Sequence, residues 1–180
     1  MHRLFVALRP PAATRAALIA TMGGVDGARW QDDDQLHLTL RFIGEVETPQ
    51  AEDVAAALAG IAAAPVDASI AGFGTFERRG RVDALWARIA PEAALAALHR
   101  KVDRALIAAG VAPDTRQFVP HVTLARFSRT DGDPVAVARW IAARGTIPAP
   151  AFGLAYLYLF ESRLGHAGAA YEAIARWPLT

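Results

Sequence analysis

A repeated alternation constrains the fold of this chain more than any other feature. His37-Leu38-Thr39-Leu40 and His121-Val122-Thr123-Leu124 stand at an offset of 84 (121 minus 37), and each sets a histidine and a threonine at alternate positions between aliphatic residues. Successive side chains of a strand point to opposite faces, so each segment predicts a strand whose aliphatic side enters a core and whose polar pair faces the other way. Two such strands need apolar layers to seat them, and 180 residues are enough to bury that much core.

The intervening sequence supplies those layers. Leu4 to Leu8 reads as a buried strand stopped by Pro10-Pro11, which opens a helix running to about Met22 and closed by Gly23-Gly24. Trp30 to Gln35 reads as a solvated acidic loop, since the consecutive Asp32-Asp33-Asp34 cannot converge on one ion without a special turn. The first repeat strand extends from Leu36 to Ile43 and breaks at Gly44; Thr48-Pro49 then starts a helix with Val54, Leu58 and Ile61 as its apolar stripe. Val66 to Phe76 and Val82 to Ile89 form a hairpin with the basic tip Arg78-Arg79-Gly80-Arg81, whose charges are expected to be solvated. Pro91 opens a helix carrying Leu95, Leu98, Val102 and Leu106, with His99 placed on its surface and Gly110 at its end. After the second repeat strand, Asp133-Pro134 starts a helix with Val137, Trp140 and Ile141, ended by Gly145. Phe152 to Phe160 and Ala169 to Trp177 are the last strands, joined by a glycine-containing turn that holds His166. The order implies one α+β domain over residues 1–180, built as two similar lobes of antiparallel sheet packed on helices.

Composition narrows the function classes. A formal net charge of +1 gives no global field to attract long nucleic acid, so a nucleic-acid ligand is small or met locally. The absence of cysteine excludes disulfides, thiolate metal sites and a cysteine nucleophile, and it fits a reducing compartment. The first eight residues are followed at once by Arg9 and two prolines, too short a run for a leader, and no apolar run approaches the roughly 18 residues of a membrane span. The expectation is a cytoplasmic protein.

Taken singly, either repeat is ordinary strand sequence with an incidental polar face. Taken together, and with lobes related by a pseudo-twofold, their polar faces meet across a cleft. Two imidazoles there suit general acid and base catalysis near neutral pH, and the threonine hydroxyls suit hydrogen bonding to anionic oxygens. A phosphodiester has the matching symmetry: an attacking side, a leaving side and two non-bridging oxygens. Two histidines are also half of a zinc site, but neither cysteine nor a helical histidine pair supplies further ligands.

At these residues the chain resembles the 2H phosphoesterase superfamily, and within it the RNA 2′,3′-cyclic phosphodiesterase branch of ThpR or LigT-like proteins. The resemblance is carried by Arg3-Leu4-Phe5-Val6-Ala7, His37 through Glu45, Pro120 through Arg126, and Tyr171-Glu172 through Leu179. It implies a bilobal fold around a central cleft, no metal or organic cofactor, and opening of a 2′,3′-cyclic phosphate at an RNA end to a 2′-phosphate, with reversible 2′,5′ ligation as related chemistry. It further implies His37 as proton donor, His121 as proton acceptor, and Thr39, Thr123 and Arg126 as phosphate ligands. RNA ends or small cyclic nucleotides are the implied partners of a monomer. The alternatives are a phosphodiesterase for ADP-ribose cyclic phosphate or 2′,5′-linked oligonucleotides, and a nucleotide or RNA-end binding module without turnover. One residue resists strict alternation: Arg126, five after His121, falls on the wrong face unless a bulge, a twist or a curling side chain restores it, whereas Arg41, four after His37, has the right parity and is the weaker candidate.

Overall fold

The computed structural model describes residues 1–145, 147, 149–165 and 168–180; His166 lies outside them. Two antiparallel sheets and four helices form an α+β fold. The chain begins with β1 (His2–Leu8) and α1 (Ala12–Ile19), followed by a two-residue strand, β2 (Arg29–Trp30), and a 3-10 turn at Asp33–Gln35. Next come β3 (Leu38–Val46), α2 (Thr48–Ala59), the hairpin β4 (Val66–Arg78) and β5 (Arg81–Ala90), and α3 (Glu92–Ala108). The remainder is β6 (His121–Arg126), α4 (Pro134–Arg144), β7 (Phe152–Leu154), β8 (Tyr156–Gly165) and β9 (Gly168–Pro178).

One sheet has the order β3-β1-β8-β9 and the other β2-β6-β5-β4-β7. The lobes are therefore not the two halves of the sequence. The short β2, between α1 and β3, and the strands from β4 to β7 belong to the second sheet, while β8 and β9 return to the sheet of β1 and β3. Before that return, Phe152–Leu154 of β7 pairs with Val66–Ala68 of β4 at the edge of the second sheet.

Leu4, Val6 and Leu8 of β1, the aliphatic residues of β3 and β6, and the buried stripes of the helices form one continuous core spanning both sheets. The stripes are those the periodicity predicts: Val54 and Leu58 on α2, Leu95, Leu98, Val102 and Leu106 on α3, Val137 and Trp140 on α4. Ile61 lies beyond the end of α2 yet still packs on the core, and α1 stops at Ile19, short of Met22. Asp133 caps α4 by accepting from the Val135 amide. The acidic loop is more ordered than expected: Asp33 takes two hydrogen bonds from Arg15, and Arg9 bonds both Asp33 and Asp34.

Both repeat strands carry a bulge at the same place. Across β1, Ala7 pairs with Thr39 and Val6 with Arg41, leaving Leu40 as an extra residue. Across β5, Trp86 pairs with Thr123 and Leu85 with Ala125, leaving Leu124 extra. The leucines are 3% and 0% exposed, so each bulge places two consecutive residues toward the core and inverts the alternation after it.

Candidate active site

The polar faces of β3 and β6 open into one cleft of about 410 Å³, lined by His37, Thr39, His121, Thr123 and Arg126 together with residues from both lobes. All five site residues expected from the sequence thus reach the same cavity. The bulges explain how. Because Leu124 and Ala125 both turn inward, Arg126 emerges on the face of His121 and Thr123. In the other lobe the equivalent bulge turns Arg41 away and brings out Phe42, which stands at the position corresponding to Arg126 by the repeat offset.

Arg41 is accordingly committed elsewhere. It is 4% exposed, its Nε donates to Asp103 on α3 at 2.7 Å, and its other nitrogens donate to the carbonyls of Phe42 and Ala112. It borders the cleft but serves as a buried tie between β3, α3 and the loop before β6.

The two imidazoles sit in different surroundings. His37 precedes β3 and is held by rings: Phe5 at 4.9 Å, Phe160 at 5.9 Å and the edge of Tyr171 at 5.1 Å between centroids. Its Nδ1 is buried without a hydrogen-bond partner. This burial lowers its pKa to about 4; the nearby Gln35 carbonyl opposes the shift, and Arg126 and His121 add to it. His121 instead donates from Nδ1 to the Val119 carbonyl at 2.6 Å, which fixes the tautomer and leaves Nε2 as the nitrogen with a lone pair. Phe76 stands edge-on to this ring at 4.9 Å. Burial lowers the His121 pKa, the bond to Val119 opposes the shift, and Arg126 adds to it. Arg126 therefore disfavours the charged form of both rings.

Several cleft residues escape sequence reasoning. His99 is not on the open surface: its ring stacks on Phe118 at 4.3 Å and 11°, and both line the cleft. It lies four residues after Leu95 and three before Val102, so helical spacing places it beside the buried stripe, a signal the sequence does contain. Tyr171 arrives from β9 and carries no such signal. Phe42 is 46% exposed, with the Arg116 guanidinium 5.4 Å from its ring centre, and is thus available within the cleft, unlike Phe5 at 2%. Arg116 is itself paired with Asp114 at 2.7 Å. Among the described residues no group of three or more His, Cys, Asp or Glu side chains is placed to hold a metal ion, and no helix is long and apolar enough to cross a membrane.

Known proteins share this architecture. A family model described as the 2′-5′ RNA ligase superfamily matches residues 10–155. An RNA 2′,3′-cyclic phosphodiesterase of Geobacillus stearothermophilus is 32% identical over 154 residues, covering 83% of this chain but 47% of that protein, so the chain spans about half the length of that relative. One of Aeropyrum pernix is 31% identical over 144 residues, covering 79% of this chain and 81% of that protein. Among solved structures, E. coli LigT complexed with 3′-AMP superimposes with a TM-score of 0.75 at 23% identity, covering 99% of this chain and 98% of that one. TT0787 of Thermus thermophilus gives 0.76 at 25% identity, covering 98% and 97%. Sequence, site geometry and fold agree: the chain belongs to the 2′-5′ RNA ligase superfamily, the 2H phosphoesterases.

Proposed function

We propose that the protein is an RNA 2′,3′-cyclic phosphodiesterase that opens a 2′,3′-cyclic phosphate end to a 2′-phosphate and a free 3′ hydroxyl. The observation that carries this reading is the convergence of both histidines, both threonines and Arg126 on one cleft. The names of the relatives in Geobacillus and Aeropyrum support the substrate class.

His121 is the base. Its Nδ1–H is held by the Val119 carbonyl, so Nε2 accepts a proton from water as the water oxygen attacks phosphorus. His37, as imidazolium, gives its proton to the departing 3′ oxygen as the P–O3′ bond breaks. Each turnover ends with His121 protonated and His37 neutral, and exchange with solvent restores the starting state. Thr39, Thr123 and Arg126 bind the non-bridging oxygens, where charge accumulates in the transition state. Burial lowers the His37 pKa to about 4, so this ring is neutral at pH 7 in the free protein. The anionic phosphodiester raises its pKa on binding, so the acid is charged by the substrate it serves. The exposed face of Phe42 suits stacking by a nucleobase. The same geometry with a 5′ hydroxyl in place of water gives 2′,5′ ligation. Under this reading the protein acts as a cytoplasmic monomer on RNA ends or small cyclic nucleotides, and no step requires a cofactor.

The test is a leaving-group substitution. A cyclic substrate with sulfur in place of the 3′ oxygen expels a thiolate that needs no proton, so it restores turnover to His37→Ala but not to His121→Ala. Rescue of His121→Ala alone would reverse the two roles, and full activity of either variant on the oxygen substrate would sink the mechanism.

A further inference from the structure

The basic tip of the β4–β5 hairpin is exposed, as expected, and its charges are gathered at one place. Arg78, Arg79 and Arg81 share a hollow of about 250 Å³ with Ser128 and Arg129, which follow β6 on a separate segment. The two segments are fastened together. The Phe127 amide donates to the Asp83 carbonyl at 3.1 Å, and the Val82 amide donates to the Gly132 carbonyl at 3.0 Å. Gly132 holds a φ of +76°, and a Cβ there would lie 2.1 Å from the Val82 carbonyl oxygen, so the loop seats on the start of β5 only with glycine at this point. The four arginines are thereby presented from two anchored directions, with Asp83 as the one carboxylate lining the hollow.

Asp83 also lines the cleft, so the hollow and the cleft are neighbours along β5, and Arg126 and Arg129 lie three residues apart on the same run out of β6. Among the described residues none of Arg78, Arg79, Arg81, Arg126 and Arg129 is in an ion pair. Elsewhere at the cleft the cation Arg116 is neutralised by Asp114. A strand whose 3′ end is fixed between the histidines continues only toward its 5′ side, and each further residue brings one phosphodiester charge.

We propose that this hollow is a backbone-phosphate subsite for the nucleotides preceding the reacting end, which makes an oligoribonucleotide, rather than a mononucleotide, the substrate the site is built for. The inference rests on the phosphodiesterase reading of the cleft. Contacts of this kind are electrostatic and indifferent to base identity, and they make binding depend on salt.

The experiment compares wild type with R78Q/R79Q/R81Q and with R129Q on two substrates: a 2′,3′-cyclic mononucleotide, and an oligoribonucleotide of several residues ending in the same cyclic phosphate. The mononucleotide reports the cleft alone. The expected result is that kcat/KM for the oligonucleotide falls about tenfold or more in the triple variant at low salt, with a shallower salt dependence, while the mononucleotide is turned over as by wild type. Equal effects on both substrates, or none on either, would overturn the subsite. Anisotropy with a labelled 2′-phosphate-terminated oligonucleotide reads the same subsite without turnover. A wild-type protein inactive on both substrates therefore contradicts the cleft's assigned activity, whereas unchanged oligonucleotide affinity in the variants contradicts the subsite.

Discussion

At the scale of single residues, the two histidines differ in environment, and the difference has kinetic consequences. Removing either imidazole by His37→Ala or His121→Ala is expected to lower kcat by about 100-fold to 10,000-fold. Measured on the free protein, kcat/KM against pH is expected to be bell-shaped with both limbs below 6.5, because burial lowers both pKa values and holds His37 near 4. At saturation the kcat profile moves to higher pH, since the bound phosphodiester stabilises the protonated rings. A kcat/KM optimum that stayed above pH 7 would contradict the environments assigned here. The tetrads were legible because histidine and threonine two apart, twice, have few other uses. The ring cage around His37 was not, since Phe5, Phe160 and Tyr171 come from three strands spread along the chain. Local periodicity says nothing about which aromatic residues surround one imidazole.

At the scale of elements, the bulges at Leu40 and Leu124 decide which arginine serves the cleft. Strict alternation favours Arg41 and disfavours Arg126; the inserted residue reverses both. No residue type in either strand announces a bulge, because leucine fits a regular strand equally well. The repeat itself held a clue, in that Arg126 aligns with Phe42 rather than with Arg41. Two substitutions separate these roles. Arg41→Met leaves Asp103 and the carbonyls of Phe42 and Ala112 without their donor and is expected to cost about 2–4 kcal/mol of stability, read as a lower denaturant midpoint, with the folded fraction still active. Arg126→Gln is expected to leave the midpoint in place and reduce turnover on every cyclic phosphate, mononucleotide included. If Arg126→Gln unfolded the protein while Arg41→Met only slowed catalysis, the assignment made from the bulges would be wrong. The anchored loop makes a further prediction: Gly132→Ala should cost about 1–3 kcal/mol, because its Cβ collides with the Val82 carbonyl and its backbone is left-handed.

At the scale of the whole molecule, the lobes exchange strands, and this sets what the sequence could reveal. The order of strands and helices along the chain was readable from turn residues and apolar spacing. The return of β8 and β9 to the sheet of β1 was not, because strand pairing between the two ends of the chain leaves no local pattern. That return is what brings Phe160 and Tyr171 to His37 and joins both lobes in one core. The buried His37 also links stability to pH. Its pKa is lower in the folded protein than the ordinary 6.5, so its neutral form is the one the fold accommodates. The His37 contribution to stability is full above pH 6.5 and is lost as pH falls toward 4, by on the order of 3 kcal/mol. Denaturant titrations of wild type and His37→Gln across this window would show a smaller decline in the variant, the remainder including that of the likewise buried His121. In the proposed function the paired histidines open a 2′,3′-cyclic phosphate toward the 2′ side. Its most direct test is phosphorus NMR of a cyclic-phosphate-ended oligoribonucleotide incubated with the protein in EDTA. Complete conversion to the 2′-phosphate is expected; a 3′-phosphate product, or an intact cyclic end, would overturn the proposed function.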